Sequence, residues 1–158
     1  YNKNQKQITK ASFLKMSLTY KFKKFRLEDG SYTNRPIVDV ILKNDGKSLE
    51  FGAILDSGSD LTTIPKTVAD YLELGAEEKE IDMIGYQGAG KIKVSKLTIV
   101  FKDKVQRQNE QLDNVPIGVM QDPEEEDVII GTSGVFKYFK IIFNDTKNIS
   151  LIRLPSIY

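Results

Sequence analysis

From Ser17 the chain alternates apolar and polar positions, with Leu18, Tyr20 and Phe22 on one side. The phase slips at Lys23-Lys24 and resumes with Phe25 and Leu27. A period of two marks a half-buried strand, and one change of phase predicts a β-bulge within it. Glu28 to Pro36 contains Asp29-Gly30 and reads as turn-rich. Ile37 to Leu42 is a β-branched run, Asn44-Asp45-Gly46 is a hairpin signal, and the return strand puts Leu49, Phe51, Ala53 and Leu55 on one face. Helical spacing occurs from Lys66 to Leu72, with Pro65 at its start, Val68, Ala69, Tyr71 and Leu72 as its stripe, and Gly75 as its stop. Ile81–Ile84 and Lys91–Phe101 read as strands around the glycine-rich tip Gly85-Tyr86-Gln87-Gly88-Ala89-Gly90. Further strands are predicted near Val115–Met120, Val128–Ile130, Lys140–Phe143 and Ile149–Leu154. Many short strands with one short helix predict an all-β barrel or sandwich. Residues 1–11 are polar and aperiodic, so 1–16 reads as a flexible arm ahead of one domain over 17–158.

Composition narrows the chemistry more than the fold. Among 158 residues there is no His and no Cys. That excludes Ser-His-Asp and Cys-His catalysis, disulfides and Cys-ligated zinc. Carboxylates, Lys, Tyr, hydroxyls and backbone amides remain. No metal or cofactor is expected. The acidic run Asp122–Asp127 lacks the spacing and glycine of a calcium loop, and Gly85 to Lys91 lacks the hydroxyl of a phosphate-binding loop because Ile92 stands at that position.

The net charge of +1 argues against a dedicated nucleic-acid partner, although the charge is unevenly spread. Residues 1–27 carry eight cations and no acid, and residues 108–127 carry seven acids and no cation. These read as a solvated arm and loop, or as segments that attract each other within or between chains. No apolar run approaches the ~18 residues of a membrane span. With no signal peptide visible either, a cytoplasmic location is expected. The chain opens at Tyr1 rather than Met, which reads as trimming from a longer chain.

The informative constellation is Ala53-Ile54-Leu55-Asp56-Ser57-Gly58-Ser59-Asp60. An apolar strand delivers a carboxylate into a Ser-Gly turn, where Gly58 can aim an N–H at it and two hydroxyls are within reach. On those residues alone, Asp56 could equally cap an ordinary turn.

Leu55-Asp56-Ser57-Gly58-Ser59 resembles the D-[ST]-G-[AS] loop of aspartic proteases, and Val128-Ile129-Ile130-Gly131 resembles their second, hydrophobic-hydrophobic-Gly motif. Gly134 to Phe143 is similar to the short helix and last core strand of single-domain retropepsin-like members, and Arg35-Pro36-Ile37-Val38-Asp39-Val40 to the strand ahead of the active site in microbial ones. The match spans roughly residues 35–154 in the family's order. It implies a closed retropepsin-like barrel with one or two short helices and a flap hairpin. It also implies an aspartic endopeptidase acting on polypeptides. One Asp-Ser-Gly loop per chain then requires a homodimer, with the two Asp56 carboxylates activating water between them.

The resemblance further implies that Ser57 bonds across the two-fold axis and that Gly58 and Ser59 hold the carboxylates. Ile84, Gly85, Tyr86, Gln87, Gly88, Ala89 and Gly90 would form the flap, Ile129, Ile130 and Gly131 the second motif, and Ile64, Val119 and Ile130 apolar pockets. Retroviral members place Arg after the second-motif glycine, paired with an acid four residues past the catalytic Asp. Asp60 occupies the acid position here, but Thr132 replaces the Arg, which implies a weaker dimer. The alternative function is a non-catalytic retropepsin-like dimerisation or peptide-binding domain.

Overall fold

The hairpin at Asn44-Asp45-Gly46 sets the frame. Asp45 and Gly46 both have positive φ, 42° and 79°, the pair a type I′ turn requires, and they join β4 (Ile37–Asn44) to β5 (Lys47–Leu55) in register Asn44↔Lys47. The computed structural model describes residues 17–75, 77–85, 88–145 and 147–155, with 77–85 and 88–91 as backbone alone. The arm expected over 1–16 lies outside the described residues.

Ahead of this hairpin lie β1 (Ser17–Lys21), β2 (Lys23–Arg26) and β3 (Tyr32–Arg35). After it come β6 (Thr62–Pro65), α1 (Lys66–Tyr71), β7 (Glu77–Gly85), β8 (Gly88–Asp103), β9 (Gln108–Met120), β10 (Ile129–Ile130), a 3₁₀ turn at Phe136–Tyr138, β11 (Phe139–Asn144) and β12 (Asn148–Arg153). The sheet order β4-β5-β10-β6-β9-β8 closes through a β4–β8 pairing into a six-stranded ring, with β7 hung on β8 as a hairpin. The expected closed barrel is therefore present. A three-stranded sheet, β1-β12-β11, packs on the barrel, and β2-β3 stands apart as its own two-stranded ribbon.

The core follows the period of two. Val38, Val40 and Leu42 from β4, Ala53 and Leu55 from β5, Ile99 and Phe101 from β8 and Ile117 from β9 turn inward and are buried. The outer sheet adds Leu18, Ile149 and Leu151, and Phe101 meets Phe139 edge-on at 5.3 Å. Each such Val, Leu or Ile stabilises the fold by roughly 1.5–3 kcal/mol.

Asp103 ties the two layers together. It is 1% exposed, and its carboxylate accepts the N–H groups of Thr19, Val105 and Gln106, each at 2.9 Å. Three donors satisfy a buried charge that would otherwise be costly, and they fasten β1 to the β8–β9 turn. Among the described residues no helix is long and apolar enough to cross a membrane.

Four local expectations need correction. The slip at Lys23-Lys24 is not a bulge: β1 pairs with β12 while β2 pairs with β3, so the chain changes sheet there. The segment read as turns contains β3. The helix is stopped not by Gly75 but by Glu73, whose φ is 51°. The Glu73 N–H donates to the Asp70 carbonyl and the Leu74 N–H to the Ala69 carbonyl, a Schellman closure built on Glu. Tyr71, placed on the apolar stripe, is 53% exposed with the Lys47 ammonium over its ring.

Tyr20 yields a stability prediction. Its hydroxyl is buried with no hydrogen-bond partner among the described residues. Burial first, then the charges of Asp103 and Asp39, push its pKa well above the ordinary 10.0. The neutral phenol is the folded form, so this residue's contribution is complete below pH 10 and is lost as pH rises past it, where the unfolded chain ionises and the folded one resists. Tyr20→Phe removes an unmatched donor and is expected to hold or raise stability at pH 7 by up to about 1 kcal/mol, and to flatten the alkaline loss. Thermal melts from pH 7 to 11 check this, and a clear fall in Tm at pH 7 would contradict it.

Candidate active site

Two strands converge to place Asp56. β5 carries it at its C-terminal end, and the short β10 lies beside β5 in parallel register, Ile129↔Ile54 and Ile130↔Leu55. The Ile54 N–H donates to the Val128 carbonyl at 2.9 Å and the Asp56 N–H to the Ile130 carbonyl at 3.0 Å. On its other side β10 pairs antiparallel with β6 at Thr63. Asp56 is thus held by backbone bonds at the end of a buried strand, while its carboxylate leaves the sheet half-exposed.

The turn behind it closes on the carboxylate. The Gly58 N–H donates to Asp56 Oδ1 at 2.8 Å, and the Ser59 N–H donates to the Asp56 carbonyl at 3.3 Å. A Cβ on Gly58 would stand 3.2 Å from Asp56 Oδ1, so glycine here provides clearance. Ser59 Oγ donates to the Leu61 carbonyl at 2.9 Å rather than to Asp56, so its expected hold on the carboxylate is not made among the described residues. Ser57 is exposed at the tip of the turn.

The second motif locks onto this loop from beneath. The Gly131 N–H donates to Thr62 Oγ1 at 3.1 Å, and Thr62 is fully buried. The Thr132 N–H donates to the Ser59 carbonyl and the Ser133 N–H to the Asp60 carbonyl, both at 2.9 Å. Gly131 lies so close that a Cβ there would come within 2.5 Å of the Leu61 backbone. Thr132 therefore holds the loop by its main chain, with Oγ1 reaching only the Asp60 carbonyl at 3.4 Å. The Asp60 side chain is exposed and has no ion pair among the described residues.

The glycine-rich hairpin is formed by β7 and β8, with Met83↔Gly90, Ile84↔Ala89 and Gly85↔Gly88 in register. Tyr86 and Gln87, expected at its tip, lie outside the described residues. Its root is Ile92, buried over Gly118 of β9. A Cβ on Gly118 would meet Ile92 Cδ1 at 2.7 Å and Leu61 Cδ2 at 3.1 Å. Leu61 and Gly118 thus connect the hairpin root to the Asp56 loop, and no local pattern in the sequence singled them out.

Ile64, Val119 and Ile130, expected to line apolar pockets, are instead buried in the core. Among the described residues no three acidic side chains gather in a way that could hold a metal ion. No ion pair joins the basic and acidic segments among them either: Lys23 pairs with Asp39 at 3.0 Å, and Glu110 lies 3.9 Å from Arg153.

A family model described as aspartyl protease matches residues 38–133. No curated protein sequence matches the chain. Among solved structures, a retropepsin-like aspartic protease from Rickettsia conorii aligns at a TM-score of 0.51 and 15% identity, covering 85% of this chain and 90% of that one. EIAV protease, complexed with the inhibitor HBY-793, aligns at a TM-score of 0.42 and 18% identity, covering 68% of this chain and 86% of that one. At that level of identity the Rickettsia likeness establishes the fold, which is retropepsin-like.

Proposed function

The chain belongs to the aspartyl protease family, and on that footing we propose that it is an aspartic endopeptidase whose dyad is formed by Asp56 from each of two copies. The observation that carries this reading is the presentation of Asp56. A carboxylate on a rigid core strand projects half-exposed from a turn that bonds only one of its oxygens, through Gly58. The chain has one such Asp-Ser-Gly loop, and the chemistry needs two carboxylates.

In the dimer one carboxyl is protonated and the other is not. The ionised carboxylate takes a proton from a water between them as the water oxygen attacks the scissile carbonyl carbon. The protonated partner gives its hydrogen to the carbonyl oxygen. Collapse of the tetrahedral intermediate breaks the C–N bond as the now protonated carboxyl gives its hydrogen to the amine nitrogen and the ionised one takes a proton from a hydroxyl of the intermediate, which restores the singly protonated dyad. Ser57 would bond across the axis and Ser59 steady the paired loops. Ile129, Ile130 and Gly131 support them from below. The hairpin of Ile84, Gly85, Tyr86, Gln87, Gly88, Ala89 and Gly90 closes over an extended peptide by strand addition.

The test is cleavage of a denatured protein at acidic pH and its inhibition by pepstatin. A dimer without cleavage would favour a peptide-binding domain instead.

The dimer carries its own prediction. Thr132 supplies no guanidinium fork to Asp60, so specific activity should fall on dilution and recover with protein concentration. Bringing two carboxylates together favours one shared proton, so the dimer binds more protons than two monomers. Association therefore strengthens as pH falls and weakens as it rises. Sedimentation at about pH 4.5 and pH 8 measures both effects. An active monomer at the acidic pH would refute the shared dyad, and a dissociation constant indifferent to pH would refute the proton linkage.

A further inference from the structure

The β2–β3 ribbon lies outside the residues matched by the family model, and among the described residues its two strands pair only with each other, which leaves main-chain groups on both outer edges without a strand partner there. Its register divides the side chains cleanly. Lys23, Phe25, Thr33 and Arg35 share one face, turned towards the barrel: Lys23 reaches Asp39 at 3.0 Å, and the Arg35 guanidinium covers the Phe25 ring at 4.5 Å. The opposite face presents Lys24, Arg26, Tyr32 and Asn34, all exposed. On this face Lys24 lies 4.3 Å above the Tyr32 ring, and neither Lys24 nor Arg26 has a carboxylate partner among the described residues.

The ribbon is also near the site. β3 runs through Pro36 into β4, the Pro36 carbonyl accepts the Leu55 N–H at 2.9 Å, and the next residue is Asp56. Four residues of strand carry this face about 13 Å along the ribbon from that anchor.

We propose that the outward face of the β2–β3 ribbon is an exosite for an acidic, extended segment of the polypeptide substrate, lying outside the cleft that holds the scissile bond. The substrate role rests on the endopeptidase reading above, whereas the binding chemistry stands on the ribbon itself. Arg26 offers a planar fork and Lys24 a point charge to carboxylates, Tyr32 offers an apolar surface between them, and an open strand edge offers main-chain hydrogen bonds.

The same features disfavour other anionic occupants. Lys24 and Arg35 already cover one face each of Tyr32 and Phe25, which leaves a poor platform for stacked bases. The ribbon's tip carries Glu28 and Asp29. Two hydrogen bonds from Ser31 hold the Asp29 carboxyl below its usual range, so a charged acid would lead any approach to an anionic bilayer.

The experiment uses the full chain with Asp56→Asn, so that bound peptide is not consumed. Fluorescence anisotropy is measured with a labelled peptide of alternating Glu and apolar residues, its Gln counterpart, a single-stranded oligonucleotide of equal charge, phosphatidylserine vesicles, and a peptide copying residues 121–127. The alternating Glu peptide should bind more tightly than all the others, and more weakly as salt rises. Lys24→Glu with Arg26→Glu should weaken it about tenfold, and the matching Gln pair should weaken it less. Reversing Lys43 and Lys96, exposed lysines on the barrel, should change it little; circular dichroism confirms that each variant is folded.

Equal binding of the Gln peptide, or no effect of the Lys24/Arg26 reversal, would overturn the proposal. Tighter binding of the oligonucleotide or vesicles would reassign the face to nucleic acid or membrane. Tighter binding of the 121–127 peptide would reassign it to a second copy of the chain. Failure of the unsubstituted protein to cleave any peptide would remove the endopeptidase reading and leave the anisotropy result standing.

Discussion

Asp56→Asn is expected to lower peptide cleavage by about 10⁴-fold or more while leaving the fold and the dimer in place. A chain without His or Cys has no substitute for a carboxylate that must accept a proton from water. An Asn amide neither accepts that proton nor shares one with its two-fold mate. The fold should be indifferent, because Asn Oδ1 can still accept the Gly58 N–H that Asp56 now receives at 2.8 Å, and Asn is as good a turn former as Asp. The dimer should be no weaker, since two neutral amides do not repel, and its pH dependence should largely disappear. Cleavage assays, thermal melts and sedimentation on one preparation separate these effects. Cleavage retained by pure Asp56→Asn would end the catalytic assignment. Lost cleavage accompanied by a lower Tm would mean that the carboxylate is holding the loop instead.

How far the sequence could be read depended on whether the deciding partner was local. Asn44-Asp45-Gly46 announced its turn because the two positive φ values are a property of those residues. The slip at Lys23-Lys24 was ambiguous for the opposite reason: a bulge and a change of sheet leave the same trace in the alternation. The choice is made by β12, which lies more than a hundred residues away. Tyr32-Thr33-Asn34-Arg35 carries no strand signature because a ribbon with no deeply buried face has no apolar period to display. Propensity favours Gly75 as the helix stop, yet the chain reverses at Glu73, where the hydrogen bonds to Asp70 and Ala69 outweigh the cost of a non-glycine left-handed residue.

The candidate site shows the same division. Asp56, Gly58 and Gly131 stand in motifs and could be named from the sequence. Leu61 and Gly118 matter through tertiary contacts that no window of sequence contains. The resemblance implies pockets at Ile64, Val119 and Ile130, but an apolar residue at such a position serves a core equally well, and all three are core.

Among the glycines from Gly30 to Gly75 and from Gly118 to Gly134, Gly131→Ala should be the most damaging added methyl. The added Cβ would stand 2.5 Å from both the carbonyl carbon and oxygen of Leu61 and 2.8 Å from the Ser59 carbonyl oxygen. All three are backbone atoms, so no rotamer change relieves the contact. Gly131 is not among the residues with positive φ, so the need for glycine is closeness and not conformation. Relief requires moving the Asp56 loop away from β10. That movement strains the bonds from Gly131 to Thr62, from Thr132 to Ser59 and from Ser133 to Asp60 together. Overpacking against an immobile wall typically costs about 1–3 kcal/mol, and the linked bonds put this case at the upper end or beyond. Cleavage should fall with it, because the loop that moves is the one that aims the carboxylate, and a shift of ~1 Å can cost ~10²-fold in rate. Gly75→Ala is the control. It meets nothing within 4 Å and does not have positive φ, so it should be neutral or stabilise slightly through the unfolded state. Urea unfolding and cleavage rates for both variants check the contrast. Stability of Gly131→Ala equal to that of Gly75→Ala would show that the two loops are not in contact as described.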